Sequence, residues 1–326
     1  MGKTTVPEPV LVDGAMIRAA AARIADVVWR TPLVDAPALG RVAGVPLRLK
    51  CEQLQPVGAF KLRGAMAALT ALTPDQRARG VVTHSSGNHG LAVAFAARRL
   101  GVRAVVVMPE GSARVKVDGV RQSGGEVVLV ATAGEREPRA QALAAGEGLT
   151  LIPPYDSAEV IAGQGTCALE ILQAWPEVDV LVAPVGGGGL LAGTAAAAAA
   201  LAPWVEVVGV EPALVPKLSA ALAAGRPVTV PRAASLADGL LPPTLGALPF
   251  GQLVGRVGEA IAVTDEELAR AVRFLWETMG LRVEPSGAAA PAAILSGRWR
   301  PRGPTAAILS GGNVDPEFFE ALTAPR

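Results

Sequence analysis

The chain has 326 residues, 51% hydrophobic and 18% charged, which describes a well-buried globular protein with one large α/β domain or two domains. A formal net charge of +1 with no basic stripe lacks the electrostatic footprint of a nucleic-acid binder. Cys51 and Cys167 are too few for a disulfide framework and suggest a reducing compartment, although a single bridge between them stays open.

The N-terminal stretch, MGKTTVPEPVLVDG, has neither the apolar core of a signal peptide nor the Ser or Thr that myristoylation wants where Val6 stands, so a cytoplasmic protein is expected. An amphipathic helix is predicted from about Gly14 to Trp29, stopped by Arg30-Thr31-Pro32. A strand at Val45 to Lys50 leads into the glycine-flanked turn Gly58-Ala59-Phe60-Lys61-Leu62-Arg63-Gly64, where Lys61 begins a helix. Short β-branched runs follow at Val81-Val82, Ala104 to Met108, Val127 to Val130, Val180 to Ala183, Val205 to Val210 and Ala306 to Leu309, most of them separated by helical stretches. That alternation predicts parallel sheet with helices on both faces.

Val180 to Val205 carries no charge and is long enough to span a bilayer, but Pro184, Pro203 and four glycines predict a buried strand, a loop and an alanine-rich helix instead. The proline-rich segment Leu241 to Phe250 reads as a surface loop near the cleft. The chain ends soon after Ser310, and no C-terminal regulatory domain is expected.

Four motifs follow predicted strands, where ligands of open α/β sheets bind. Only five lysines stand against twenty-five arginines, so Lys61 in a glycine-flanked turn is not there merely for charge. A lysine that must lose its proton and form an imine cannot be replaced by arginine. The helix N-terminus and the Arg63 cation are expected to push its amine towards the neutral form. Gly186-Gly187-Gly188-Gly189 offers unobstructed backbone N–H groups to a phosphate at the start of a helix. In Ser85-Ser86-Gly87-Asn88-His89-Gly90, Asn88 can offer an amide to a phenolic oxygen, while Ser85, Ser86 and the loop amides can hold a carboxylate. Ser310 can reach a pyridine nitrogen, and a serine there leaves that nitrogen largely unprotonated. Together these describe a pyridoxal phosphate site suited to chemistry in which a leaving group promptly relieves the carbanion.

At these residues the chain resembles the threonine/serine dehydratase and serine racemase family of fold-type II pyridoxal phosphate enzymes. The resemblance runs from Arg30-Thr31-Pro32-Leu33 to Asn313-Val314-Asp315 and includes Gly163-Gln164-Gly165-Thr166. It implies two open, twisted, mostly parallel sheets flanked by helices, with the cofactor in the interdomain cleft. It makes Lys61 the Schiff-base lysine, sets Phe60 against the cofactor, gives Asn88 the ring hydroxyl, Gly186 to Gly189 with Leu190 the phosphate, and Ser310 the pyridine nitrogen. Ser85, Ser86, Gly87, Asn88 and His89 are the substrate-binding residues it implies, and in racemising members the residue matching Ser86 donates a proton opposite the lysine.

Three departures stand out. Ala59 replaces a usual serine, Pro242 replaces a substrate-binding serine, and Lys217 stands six residues after Glu211, where a cation site of some relatives has an aspartate. A lysine ammonium repels a divalent cation, so no metal is expected, and Lys217 is expected to pair with Glu211 or a neighbouring carboxylate.

The resulting expectation is a lyase with a small domain of roughly residues 52–153 inserted into a large one, 1–51 and 154–326, working as a homodimer on a small-molecule substrate. A β-hydroxy amino acid, by default L-threonine or L-serine, loses its α-proton to Lys61 and its β-hydroxyl with help from the cofactor phosphate. The product hydrolyses to a 2-oxo acid and ammonia. The alternatives are a racemase using Lys61 and Ser86 and, more remotely, a non-catalytic binding protein on the same fold.

Overall fold

A computed structural model of the chain describes residues 11–324, apart from Ser86, Ala113 and the side chain of Val115. In chain order the strands are β1 (Leu33–Asp35), β2 (Leu47–Cys51), β3 (Val81–His84), β4 (Ala104–Pro109), β5 (Glu126–Val130), β6 (Thr150–Leu151), β7 (Val180–Pro184), β8 (Glu206–Pro212), β9 (Glu259–Val263) and β10 (Thr305–Leu309). Six build one sheet in the order β1-β2-β10-β7-β8-β9, parallel except for the short antiparallel edge β1. The other four form an all-parallel sheet in the order β5-β4-β3-β6.

Central strands of parallel sheets are covered on both faces, so their sequences are continuously apolar. β7 and β10 are buried at every residue. Successive side chains alternate between two cores: Leu181, Ala183, Ala306 and Ile308 pack into one, and Val180, Val182, Ala307 and Leu309 into the other.

Three helices in the first core are held so close that glycine is required between them. A Cβ at Gly163 would lie 2.5 Å from the Arg63 carbonyl, and one at Gly193 would lie 2.5 Å from the Gly165 amide. Gly163-Gln164-Gly165 therefore serves packing, locking the helix Ala158–Ala174 against the helices Lys61–Thr70 and Gly189–Leu201. The last two begin at Lys61 and at the glycine loop, so this contact fixes where both helices start.

Two expectations need correction, and a third is met. The first helix covers only Gly14–Ile24, because the Val27 and Val28 amides turn back onto the Ile24 carbonyl and carry Val28 into the core. The segment 241–250 is only in part a loop: it runs into the helix Ala247–Leu253, whose Pro249 and Phe250 are buried. The uncharged stretch 180–205 divides into β7, a turn and a helix, as predicted, and among the described residues no helix is long and apolar enough to cross a membrane.

Candidate active site

The predicted motifs converge beyond the carboxyl ends of β2, β3, β7 and β10. The Phe60 amide donates to the Ser310 carbonyl at 3.0 Å, and Ala59 forms a bridge with Gly311, which sets the Lys61 turn beside the end of β10. Gly58 has φ +69°, and a Cβ there would lie 2.3 Å from Asn313 Oδ1, so this position is closed to any side chain. Asn313 Nδ2 in turn donates to the Val57 carbonyl at 2.8 Å and to Asn88 Oδ1 at 2.9 Å. Three loops distant in sequence thus share one hydrogen-bond network.

Lys61 Nζ donates to the Pro154 carbonyl at 2.7 Å and lies 5.1 Å from the centre of the Phe60 ring. Burial pushes its pKa down to about 8. The expected influence of Arg63 is absent. Arg63 is fully buried and turned away, its guanidinium held by Glu52 at 2.7 and 2.8 Å, by Glu170 at 2.7 and 2.8 Å and by Thr166 at 3.0 Å. Two carboxylates cancel its charge, so desolvation alone lowers the lysine pKa.

The glycine loop sits between β7 and the helix Gly189–Leu201, and its glycines make room for close neighbours. A Cβ at Gly186 would meet the Gly239 carbonyl at 3.0 Å, and one at Gly187 would meet the Tyr155 ring at 2.2 Å. Gly188 has φ +96°, which L side chains rarely adopt. Leu190, in the first turn of the helix, is buried.

Ser85, Gly87, Asn88 and His89 follow β3. Gly87 donates its amide to Ser85 Oγ at 3.2 Å, and a Cβ on Gly87 would meet nothing within 4 Å among the described residues. Asn88 is the first residue of the helix Asn88–Leu100, and its Nδ2 donates to Glu284 Oε1 at 2.7 Å. Ser86 lies outside the described residues. His89 is buried and neutral, its pKa pushed down to about 3 by desolvation and then by the Lys61 charge. Its Nε2 therefore donates to the Ile152 carbonyl at 3.2 Å, which leaves Nδ1 an acceptor without a partner among the described residues.

Sequence reasoning missed three contributors: the Pro154 carbonyl, Tyr155 and Glu284. Backbone acceptors leave no sequence signal. Tyr155, however, is the only tyrosine in the chain, and Glu284 is a lone acid in the tight segment Arg282-Val283-Glu284-Pro285-Ser286-Gly287. Burial, and secondarily the Asp238 charge, pushes the Glu284 carboxyl up to about 8.

Lys217 is placed differently from the expectation. It is fully buried, and its ammonium donates to the Leu240 carbonyl at 2.7 Å. Glu211 takes its bonds from the Leu218 amide at 2.6 Å and from the Ser219 amide and hydroxyl at 2.9 and 2.6 Å. The charge of Glu211 still favours the ammonium, but burial is the larger influence and pushes the Lys217 pKa down to about 8. With the Glu211 oxygens bonded this way and an ammonium nearby, the donor set does not suit a divalent cation.

The remaining features suit pyridoxal phosphate: a desolvated amine, a side-chain-free loop at a helix N-terminus, an asparagine amide, a buried serine and an unpartnered imidazole nitrogen beside the amine. Two mainly parallel sheets with such a cleft define a fold-type II pyridoxal phosphate enzyme. Residues 24–311 match the family described as pyridoxal-phosphate dependent enzyme. The chain is 39% identical over 306 residues to a serine racemase of Oryza sativa subsp. indica, covering 92% of this chain and 90% of that one. It is 41% identical over 303 residues to an L-threonine ammonia-lyase of Geobacter sulfurreducens, covering 92% and 75%. The solved structure of the T.th. threonine deaminase superposes with a TM-score of 0.88 at 42% identity, covering 93% of this chain and 99% of that one. The chain belongs to this pyridoxal phosphate-dependent family, among its threonine dehydratase and serine racemase members.

Proposed function

We propose that the protein is a pyridoxal phosphate-dependent ammonia-lyase that converts a β-hydroxy amino acid, by default L-threonine or L-serine, to a 2-oxo acid and ammonia. The observation that carries this reading is the state of Lys61. It lies at the meeting point of the motifs, donates to the Pro154 carbonyl at 2.7 Å, and has its pKa pushed down to about 8, towards the neutral amine that imine formation and proton removal need. The cofactor, when bound, supplies an aldehyde for amines to condense with and a ring that accepts electrons from the bond being broken.

In this reading Lys61 Nζ would hold the cofactor, and the same nitrogen, when free, would take the substrate α-proton. Phe60 lies against the cofactor and Asn88 donates its amide to the ring hydroxyl. Gly186 to Gly189 with Leu190 present N–H groups to the phosphate, and Ser310 meets the ring nitrogen with a neutral hydroxyl. Ser85, Ser86, Gly87 and His89, with the start of the helix Asn88–Leu100, would receive the substrate carboxylate. Residues 52–153 form the small domain that closes over substrate, and 1–51 with 154–326 hold the cofactor.

The serine racemase relatives support a second reading, in which Ser86 supplies a proton on the face opposite Lys61. Ammonia release and D/L interconversion measured over a panel of β-hydroxy amino acids separate the two. The expected result is elimination from an L-substrate, with Ser86→Ala keeping most of that elimination and losing any interconversion. Interconversion without ammonia release from any member of the panel would overturn the lyase assignment.

A further inference from the structure

Tyr155 lies in the segment that links β6 to the helix Ala158–Ala174, and its side chain is pressed onto the glycine loop. A Cβ built at Gly187 would lie 2.2, 2.3 and 2.4 Å from three atoms of its ring, and one at Gly189 would lie 3.0 Å from Tyr155 Cβ. The residues on either side are also tied down. Pro154 accepts the Lys61 ammonium through its carbonyl at 2.7 Å. Asp156 accepts the amides of Ala247 and Leu248 at 3.0 and 2.9 Å, at the start of the helix Ala247–Leu253. Just before that helix, the Gly246 amide donates to the Gly187 carbonyl at 3.1 Å. Gly187 is therefore held on one side by the tyrosine ring and on the other by a backbone bond whose donor is anchored through Asp156.

Four successive glycines have more conformational freedom than any other tetrapeptide, so a loop left to itself would lose that freedom only as the ligand bound. A ring packed against the loop removes it beforehand, and preorganisation of this kind strengthens binding without any new contact to the ligand. We propose that Tyr155 is a positioning residue of the phosphate cradle. Its ring holds the Gly187 and Gly189 backbone in the form that accepts the phosphate, and Pro154 and Asp156 couple that form to Lys61 and to the helix Ala247–Leu253. The proposal rests on the reading of Gly186 to Gly189 as the phosphate site.

Because Tyr155 is the only tyrosine, tyrosinate absorbance reports this phenol alone. Burial, then the charges of Glu137 and Asp156, hold its pKa above the ordinary phenol value, while the neighbouring Arg136 opposes them. A phosphate dianion bound at the loop adds negative charge and should move the titration further up. The experiment titrates the unmutated protein with and without saturating inorganic phosphate, then measures pyridoxal phosphate affinity in Tyr155→Ala and Tyr155→Phe. We expect an upward shift with phosphate, cofactor binding weakened roughly tenfold or more in Tyr155→Ala, and affinity restored to within about threefold of the parent in Tyr155→Phe. Tyr155→Ala binding as tightly as the parent, with the lysine-bound absorbance band intact, would sink the role of Tyr155 and leave the cofactor site standing. Equal weakening in both variants would overturn the role of the ring. An unmoved phenol titration in a parent that forms the band decides against the proposal even if Tyr155→Ala fails to fold. A parent that forms no band at all overturns the underlying reading of the site.

Discussion

Lys61 and Arg63 stand two residues apart at the start of one helix, yet burial acts on them with opposite outcomes. The guanidinium keeps its charge because Glu52 and Glu170 enclose it, and its pKa is raised further. The amine donates to a backbone carbonyl beside the Phe60 ring, and burial pushes its pKa down. The glycine-flanked lysine was legible in the sequence, whereas the cause of its pKa was not, because the carboxylates that neutralise Arg63 come from residues 11 and 107 positions away. Glu284 carries a prediction of its own. In the cofactor-free protein its pKa, raised from 4.5 to about 8, means the folded state holds a proton that the unfolded state has lost. The folded state binds more protons between those two values, so this group's stabilisation is complete below 4.5 and is lost as pH rises through 8. For one proton the slope is about 1.4 kcal/mol per pH unit. Asp238 and Lys116 are the charged groups acting on it, with Asn88 as its hydrogen-bond partner. Denaturant melts across that window should show the slope in the parent and its loss in Glu284→Gln; parallel curves would exclude Glu284 as the proton holder.

The turn Asp238–Leu240 shows what pattern reading recovers of an element and what it misses. Asp238 pairs with Lys116 of the helix Arg114–Gln122, the Gly239 amide donates to Ser286 Oγ at 2.9 Å, and the Leu240 carbonyl takes the Lys217 ammonium. Each of three successive residues is thus fixed by a different part of the chain, and Gly239 abuts Gly186 of the glycine loop. The departure at Lys217 was visible in the sequence, but its partner was not, because a backbone carbonyl is not written in residue types. Strands were recovered wherever both faces are covered. The three missed ones were β1, with three residues, β6, with two, and β9, whose partly exposed edge carries a weak apolar signal. Since Lys217 places an ammonium beside Glu211 and holds the Leu240 carbonyl, turnover should be indifferent to chelator and to added magnesium. Activity lost in chelator and restored by magnesium or calcium would show that other ligands rebuild a cation site near Glu211.

At the scale of the whole molecule, two parallel sheets bring the ends of β2, β3, β7 and β10 to one place, and glycine-mediated helix contacts keep the starts of two helices there. The architecture was legible because parallel sheet demands apolar runs spaced by helices. The joining of the site was not, since Tyr155, Asp156 and Glu284 act through tertiary neighbours distant in sequence. All of the proposed chemistry passes through a single amine, and the chain's five lysines make that claim directly testable. Borohydride reduction of the holoenzyme fixes the cofactor on whichever lysine carries it, and peptide mass spectrometry then locates the added mass. The account predicts label on the peptide containing Lys61 and on no other. Label on Lys3, Lys50, Lys116 or Lys217, or none at all in a protein that turns over its substrate, would contradict it.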